Sequence, residues 1–179
     1  MVMRDFTELS TNEVLALAIV IEERNRDLYT EWAARFRSYD LAASVLLEEL
    51  AKEEEDHRAY LIKRYIEQFG SSVIRINPAC VNADLELQQL PAEHFFVVDV
   101  PMALSILRAV LDCEEKAMKF YKRVLSDTKN PKLGAIYEPL VEFEAGHVKV
   151  VEEWLETYVI NSYTAGHGKR SEAKAGSPW

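Results

Sequence analysis

Glu54-Glu55-Asp56-His57 and Glu144-Ala145-Gly146-His147 are two copies of one Glu-x-x-His pattern. Each follows an earlier glutamate, Glu22 by 32 residues in the first case and Glu114 by 30 in the second. In a helix, residues i and i+3 share a face, so each pattern offers a carboxylate and an imidazole to the same point. Four carboxylates and two imidazoles are the donor set of a dinuclear carboxylate site inside a helix bundle.

The chain repeats itself around these residues. Glu22 to Glu114 is 92 residues, as is Tyr29 to Tyr121. Glu54 to Glu144 is 90 residues, as is His57 to His147. Leu28-Tyr29 matches Phe120-Tyr121, and Leu50 matches Leu140. A glutamate-rich chain produces one such pattern by chance, and Glu53, Glu54 and Glu55 in a row read equally well as a solvated helix face. Two histidines in register with two further glutamates and two tyrosines favour the metal site. Its six candidate ligands are Glu22, Glu54, His57, Glu114, Glu144 and His147.

Composition narrows the function classes. A chain of 179 residues is the size of one domain. Hydrophobic residues make up 49%, enough for a sizeable core. A net charge of −9 argues against nucleic acid or an anionic membrane surface as partner. The longest purely apolar run, Val14 to Ile21, is too short to span a bilayer, and Met1 to Ser10 has no apolar signal core. The expected location is the cytoplasm. Cys80 and Cys113 are the only cysteines and form no C-x-x-C pair, which removes a disulfide framework, a zinc ribbon and an iron–sulfur module. Cys113 adjoins Glu114, but adjacent helical residues diverge by about 100°, so it reads as a small core residue.

Four long helices are expected. The first runs from about Thr11 to Arg37, with Ser10 and Glu13 as a capping box. Val14, Ala18, Glu22, Asn25 and Tyr29 share its inward face. The second runs from about Asp40 to Phe69 and stops at Gly70. Leu47, Leu50, Glu54, His57 and Leu61 face inward. The third has Asp99 as N-cap and runs to about Ser126, with Leu107, Val110, Glu114, Ala117 and Tyr121 inward. The fourth starts at Asn130-Pro131 and ends near Val159, with Leu140, Glu144, His147 and Val151 inward. Pro139 lies inside it and predicts a kink or a wide turn. Short turns make the first two and the last two helices antiparallel hairpins. Ser71 to Val98 joins the hairpins and fits no strand alternation. Residues 161–179 read as a mobile tail.

Carboxylate and imidazole donors suit iron and manganese and accept zinc. Glu22 and His57 would hold one metal, Glu114 and His147 the other, with Glu54 and Glu144 bridging. Tyr29 and Tyr121 lie two turns beyond Glu22 and Glu114. They read either as hydrogen-bond donors to ligands across the bundle or as ordinary core aromatics.

The four quoted motifs, Glu22-x-x-Asn25-x-x-Leu28-Tyr29, Glu54-Glu55-Asp56-His57, Glu114-x-x-Ala117-x-x-Phe120-Tyr121 and Glu144-Ala145-Gly146-His147, resemble the ferritin-like di-iron carboxylate superfamily, and most its rubrerythrin-related members. The resemblance covers about residues 10–160. It implies an all-α, ferritin-like four-helix bundle over residues 1–160, with one long crossover between helices 2 and 3. It also implies two iron ions on the six ligands, reacting with hydrogen peroxide or dioxygen, in a homodimer without haem. Three departures qualify the match. Rubrerythrins usually carry a rubredoxin domain, which these cysteines cannot build, so a separate electron donor protein is expected. Rubrerythrins also use an additional glutamate on the third helix, where this chain has Leu111 and Ala117. Bacterioferritins share the six-ligand set but bind haem through a Met where this chain has Glu55.

Four functions stay open. They are an oxidoreductase reducing peroxide or dioxygen, an iron-handling ferroxidase, a di-iron oxygenase, and a bundle that binds metal without catalysis. The first is the favoured expectation.

Overall fold

Local chemistry sets the ends of each helix. The Ser10 N–H and hydroxyl both donate to the Glu13 carboxylate, at 2.9 and 2.6 Å, where α1 (Thr11–Phe36) begins. The Asp40 carboxylate accepts from the N–H groups of Ala42 and Ala43 and starts α2 (Leu41–Phe69). Gly70 ends α2 at a φ of 63°, a left-handed conformation that side chains with a Cβ rarely adopt. The space around it is open, so conformation and not crowding selects glycine there. Asp99 caps α3 (Val100–Asp127) by accepting from the Met102 N–H at 2.8 Å. The last helix, α4, spans Pro131–Gly168.

These elements come from a computed structural model, which describes residues 4–78, 81–82, 95–128 and 131–168, with no side chains described at 82 or 162–168. The expected cap at Asn130 and the expected tail from 169 onward lie outside the described residues. The helix end expected near Val159 is corrected: α4 continues to Gly168. Between His147 and Ala165 the chain has neither glycine nor proline to stop it. Pro139 lies inside α4, as expected. It cannot donate to a carbonyl of the preceding turn. The Tyr60 hydroxyl of α2 donates to the nearby Ile136 carbonyl at 3.3 Å.

Two apolar clusters reveal the topology. One gathers Leu15 and Ala18 of α1, Leu61 and Tyr65 of α2, Phe120 and Val124 of α3, and Leu133 and Leu140 of α4. The other gathers Trp32 and Phe36, Leu47 and Leu50, Ile106 and Val110, and Val151 and Tyr158. The start of α1 is therefore level with the end of α2, the end of α3 and the start of α4. Helices α1 and α4 run one way, and α2 and α3 the other. The pairs α1–α2 and α3–α4 form the closest packings, and α1 meets α3 and α2 meets α4 across the bundle. This is an all-α, ferritin-like four-helix bundle.

The crossover must travel the length of the bundle. Val81 belongs to the first cluster and Val97 to the second. The Val97 N–H donates to the Arg35 carbonyl at 3.0 Å near the end of α1. At the opposite end, strand β1 (Arg4–Asp5) pairs in parallel with β2 (Val81–Asn82), with Arg4 opposite Val81. Two-residue strands are too short to leave an alternation in the sequence. A 3₁₀ turn, Phe6–Glu8, follows β1 and places the Phe6 ring edge-on to Phe120 at 5.6 Å. Among the described residues no helix is long and apolar enough to cross a membrane.

Asp40 has a second task, because its carboxylate also accepts a hydrogen bond from the Tyr158 hydroxyl of α4. Asp40→Ala removes a helix cap, worth about 1 kcal/mol, together with that bond. Tyr158→Phe removes only the bond. Thermal unfolding should show both variants destabilised, with Asp40→Ala the lower by about 2–4 °C.

Candidate metal centre

The two apolar clusters leave a polar layer between them. Glu22 enters it from α1, Glu54 and His57 from α2, Glu114 from α3, and Glu144 and His147 from α4. All four glutamates are 0% exposed, and His57 and His147 are 8% and 6% exposed. Their donor atoms form two overlapping groups, each with all atoms within 4.8 Å of one another. One group is Glu22, Glu54, His57 and Glu144, and the other is Glu54, Glu114, Glu144 and His147. Glu54 and Glu144 are common to both. The structure thus brings all six sequence-selected residues together.

The hydrogen bonding is incomplete in a telling way. Both carboxylate oxygens of Glu54 and of Glu144, Oε2 of Glu22, Oε1 of Glu114 and Nδ1 of His57 are buried without a hydrogen-bond partner. Buried carboxylate oxygens without partners are costly, and charged ones more so. Divalent cations among them satisfy the orphaned atoms together, so the donor set fits a pair of metal ions.

Burial, and then neighbouring carboxylates, push Glu22 and Glu144 well above the usual carboxylate range. Burial likewise raises Glu54. The two histidines diverge. Burial lowers His57, whose Nδ1 comes no nearer than 3.8 Å to Glu54 or Glu144 and 3.9 Å to Glu22. Burial also acts to lower His147, but Glu114 and Glu54 outweigh it and hold it at about 11. Its Nδ1 lies 3.3 Å from Glu114 and its Nε2 2.7 Å from Glu53.

Tyr121 donates its hydroxyl to Glu22 Oε1 across the bundle. The Tyr29 hydroxyl is buried beside Glu114, which together with burial raises the phenol, but it makes no hydrogen bond. Cys113 lies in the apolar cluster, with burial raising its thiol to about 12, and it is in neither donor group. Sequence reasoning missed Glu53, which the run of three glutamates disguised as solvated surface. Its signal is position: Glu53 lies four residues before His57, on the same flank of α2. The repeat places Phe143 in the corresponding position of α4, and its ring lies over His57 at 5.0 Å between centroids.

Residues 13–88 match the family model for rubrerythrin. Over that stretch the chain is similar to rubrerythrin, and its fold is ferritin-like. The matched stretch holds Glu22, Glu54 and His57. Glu114, Glu144 and His147 lie beyond it and join them only through the fold. Three solved structures share the architecture. A hypothetical protein from Pyrococcus furiosus is 23% identical, with a TM-score of 0.71 over 86% of this chain and 93% of that one. An uncharacterized conserved protein from Magnetospirillum magnetotacticum MS-1 is 19% identical, with a TM-score of 0.68 over 83% of this chain and 95% of its own. A two-domain protein from Anabaena variabilis ATCC 29413, containing dj-1/thij/pfpi-like and ferritin-like domains, is 13% identical, with a TM-score of 0.59 over 94% of this chain and 39% of its own. At these identities the likeness establishes the fold alone. No curated protein matches the chain.

The raised carboxyls set a pH dependence for the metal-free bundle. A carboxyl raised by folding stabilises the fold fully below its ordinary value of 4.5 and loses that contribution as pH rises through the folded value. Glu144→Gln keeps the shape and removes the charge. In chelator it should raise the melting temperature at pH 8, by about 2–4 °C per kcal/mol relieved, and change it little at pH 5. A lower melting temperature at pH 8 would show that the carboxylates do not strain the metal-free fold.

Proposed function

We propose that the chain is a non-haem di-iron oxidoreductase that reduces hydrogen peroxide or dioxygen. The observation that carries this reading is the pair of four-donor groups sharing Glu54 and Glu144. Glu22 and His57 would hold one metal and Glu114 and His147 the other, with Glu54 and Glu144 shared by both groups. Iron accepts carboxylate and imidazole donors, and manganese or zinc can take the same set. Two ferrous ions bound there would supply the two electrons that peroxide needs, with two protons, to become water. The rubrerythrin match over α1 and α2 supports iron and an oxidant as reactant.

The chain's own groups prepare the site. Four carboxylates neutralise the charge of two divalent cations. Both imidazoles turn Nδ1 inward, toward the carboxylates. Leu61 and Leu140 on one side, and Leu50 and Val110 on the other, belong to the apolar clusters that keep bulk water from the layer. Tyr121 holds a hydroxyl proton at Glu22 Oε1. The 179 residues hold two cysteines, fewer than the four of a rubredoxin site, so this reading takes the electrons for repeated turnover from a donor outside the bundle.

Iron reconstitution should give close to two irons per chain, and His57→Ala or His147→Ala should lower that number. Full occupancy in a Glu54→Ala, Glu144→Ala double variant would place the metals elsewhere. Metal should also raise the melting temperature, since binding to the folded state adds about 2.7 kcal/mol at a hundredfold excess over Kd.

The redox assignment has its own test. Stopped-flow mixing of the anaerobic di-ferrous protein with peroxide, and separately with dioxygen, should show fast oxidation in a single turnover. Steady-state peroxide reduction should be negligible with NAD(P)H alone and restored by a rubredoxin-type donor with its reductase. A di-ferrous protein inert to both oxidants would leave a metal-binding bundle without catalysis. Ferric iron released to a store would assign iron handling instead.

A further inference from the structure

The internal repeat makes the two halves of the site nearly equivalent, which exposes a place where their surroundings differ in kind. Offset by 90 residues, Glu53 and Phe143 occupy the same position, each directly before a shared glutamate. Both sit at the rim of the site, with the Glu53 side chain 57% and Phe143 52% exposed. Each covers the imidazole contributed by the opposite helix. Glu53 of α2 reaches Nε2 of His147 on α4 at 2.7 Å. Phe143 of α4 lies over His57 of α2, 5.0 Å between ring centroids and 30° between planes.

We propose that the two metal positions are unequal, the Glu114–His147 position binding first and more tightly, because Glu53 braces His147 while Phe143 only covers His57. This rests on the dinuclear reading above and deepens it. An imidazole that coordinates through Nδ1 carries its proton on Nε2. On His147 that proton has a carboxylate waiting at hydrogen-bond distance, which fixes the tautomer, holds the ring plane and increases electron donation toward the metal. A phenyl ring offers none of these to His57. It packs on the imidazole and offers its ring N–H no acceptor. Consistently, His57 Nδ1 has no hydrogen-bond partner, whereas His147 Nδ1 lies 3.3 Å from Glu114. Glu53 is thus a positioning residue for one position, and the His57 position is the exchangeable one.

Calorimetric titration of the full chain with Zn²⁺ tests this, with Co²⁺ absorption as a second readout of the coordination at each step. The unaltered chain should bind in two resolved steps of one equivalent each. His147→Ala should remove the tighter step and His57→Ala the looser one. Glu53→Gln should weaken the tighter step by about 10–100-fold and leave the looser step in place. Phe143→Glu supplies the missing carboxylate and should tighten the looser step. Both altered side chains are half exposed, and circular dichroism checks that the helices persist. Two indistinguishable steps in the unaltered chain, or a Glu53→Gln effect on the looser step, would overturn the inference and spare the dinuclear reading. A Co²⁺ spectrum in which Glu53→Gln loses a ligand would also overturn it, because Glu53 would then coordinate metal instead of bracing a histidine. Failure of the unaltered chain to bind two metals would overturn the dinuclear reading itself, and this inference with it.

Discussion

Four fully buried carboxylates within reach of one another cannot all be ionised unless positive charge lies among them. Every other feature of the bundle is arranged around that constraint. The glutamates come one from each helix, so no helix carries the repulsion alone. Above and below them, two apolar clusters hold the helices at a fixed separation, and the carboxyls cannot relieve their crowding by drifting apart. What remains is uptake of protons or of metal. The raised carboxyls are the proton solution, and the orphaned oxygens mark the room for the metal solution.

Much of this was written in the sequence, because the relevant geometry is local. The i, i+3 spacing of Glu54 with His57 and of Glu144 with His147 needs only a helix to become a shared face. Ser10, Asp40, Gly70 and Asp99 announced helix ends through chemistry confined to one turn. The length of the connection after Gly70 separated a crossover bundle from one with only short turns. Glu53 and Phe143 escaped notice because their roles depend on the register between α2 and α4, which no spacing within either helix encodes. The same is true of Tyr158 against Asp40, 118 residues away. The β1–β2 pair escaped because two residues cannot show a period. The end of α4 was misplaced because polar composition suggested a tail, whereas helix propensity and the absence of a breaker carried the helix on.

Symmetry and its violation have separate uses here. The repeat supplies two nearly identical donor groups at little cost in sequence. Departures from it then give each position its own character. Asn25 is buried in the first half where the second has Ala117, and its Nδ2 is without a partner. Tyr121 reaches Glu22, while its counterpart Tyr29 lies beside Glu114 without bonding to it. These differences give the two donor groups separate surroundings and leave the shared carboxylates, Glu54 and Glu144, in place.

The division of the donors between the two hairpins has a kinetic consequence. Glu22, Glu54 and His57 belong to α1–α2, and Glu114, Glu144 and His147 to α3–α4. Contacts within each hairpin are short in sequence and form early, whereas those between hairpins wait for the crossover to close. Neither hairpin alone presents more than three donors. A metal ion arriving before docking therefore finds half a site, and one bound after docking ties the two hairpins together.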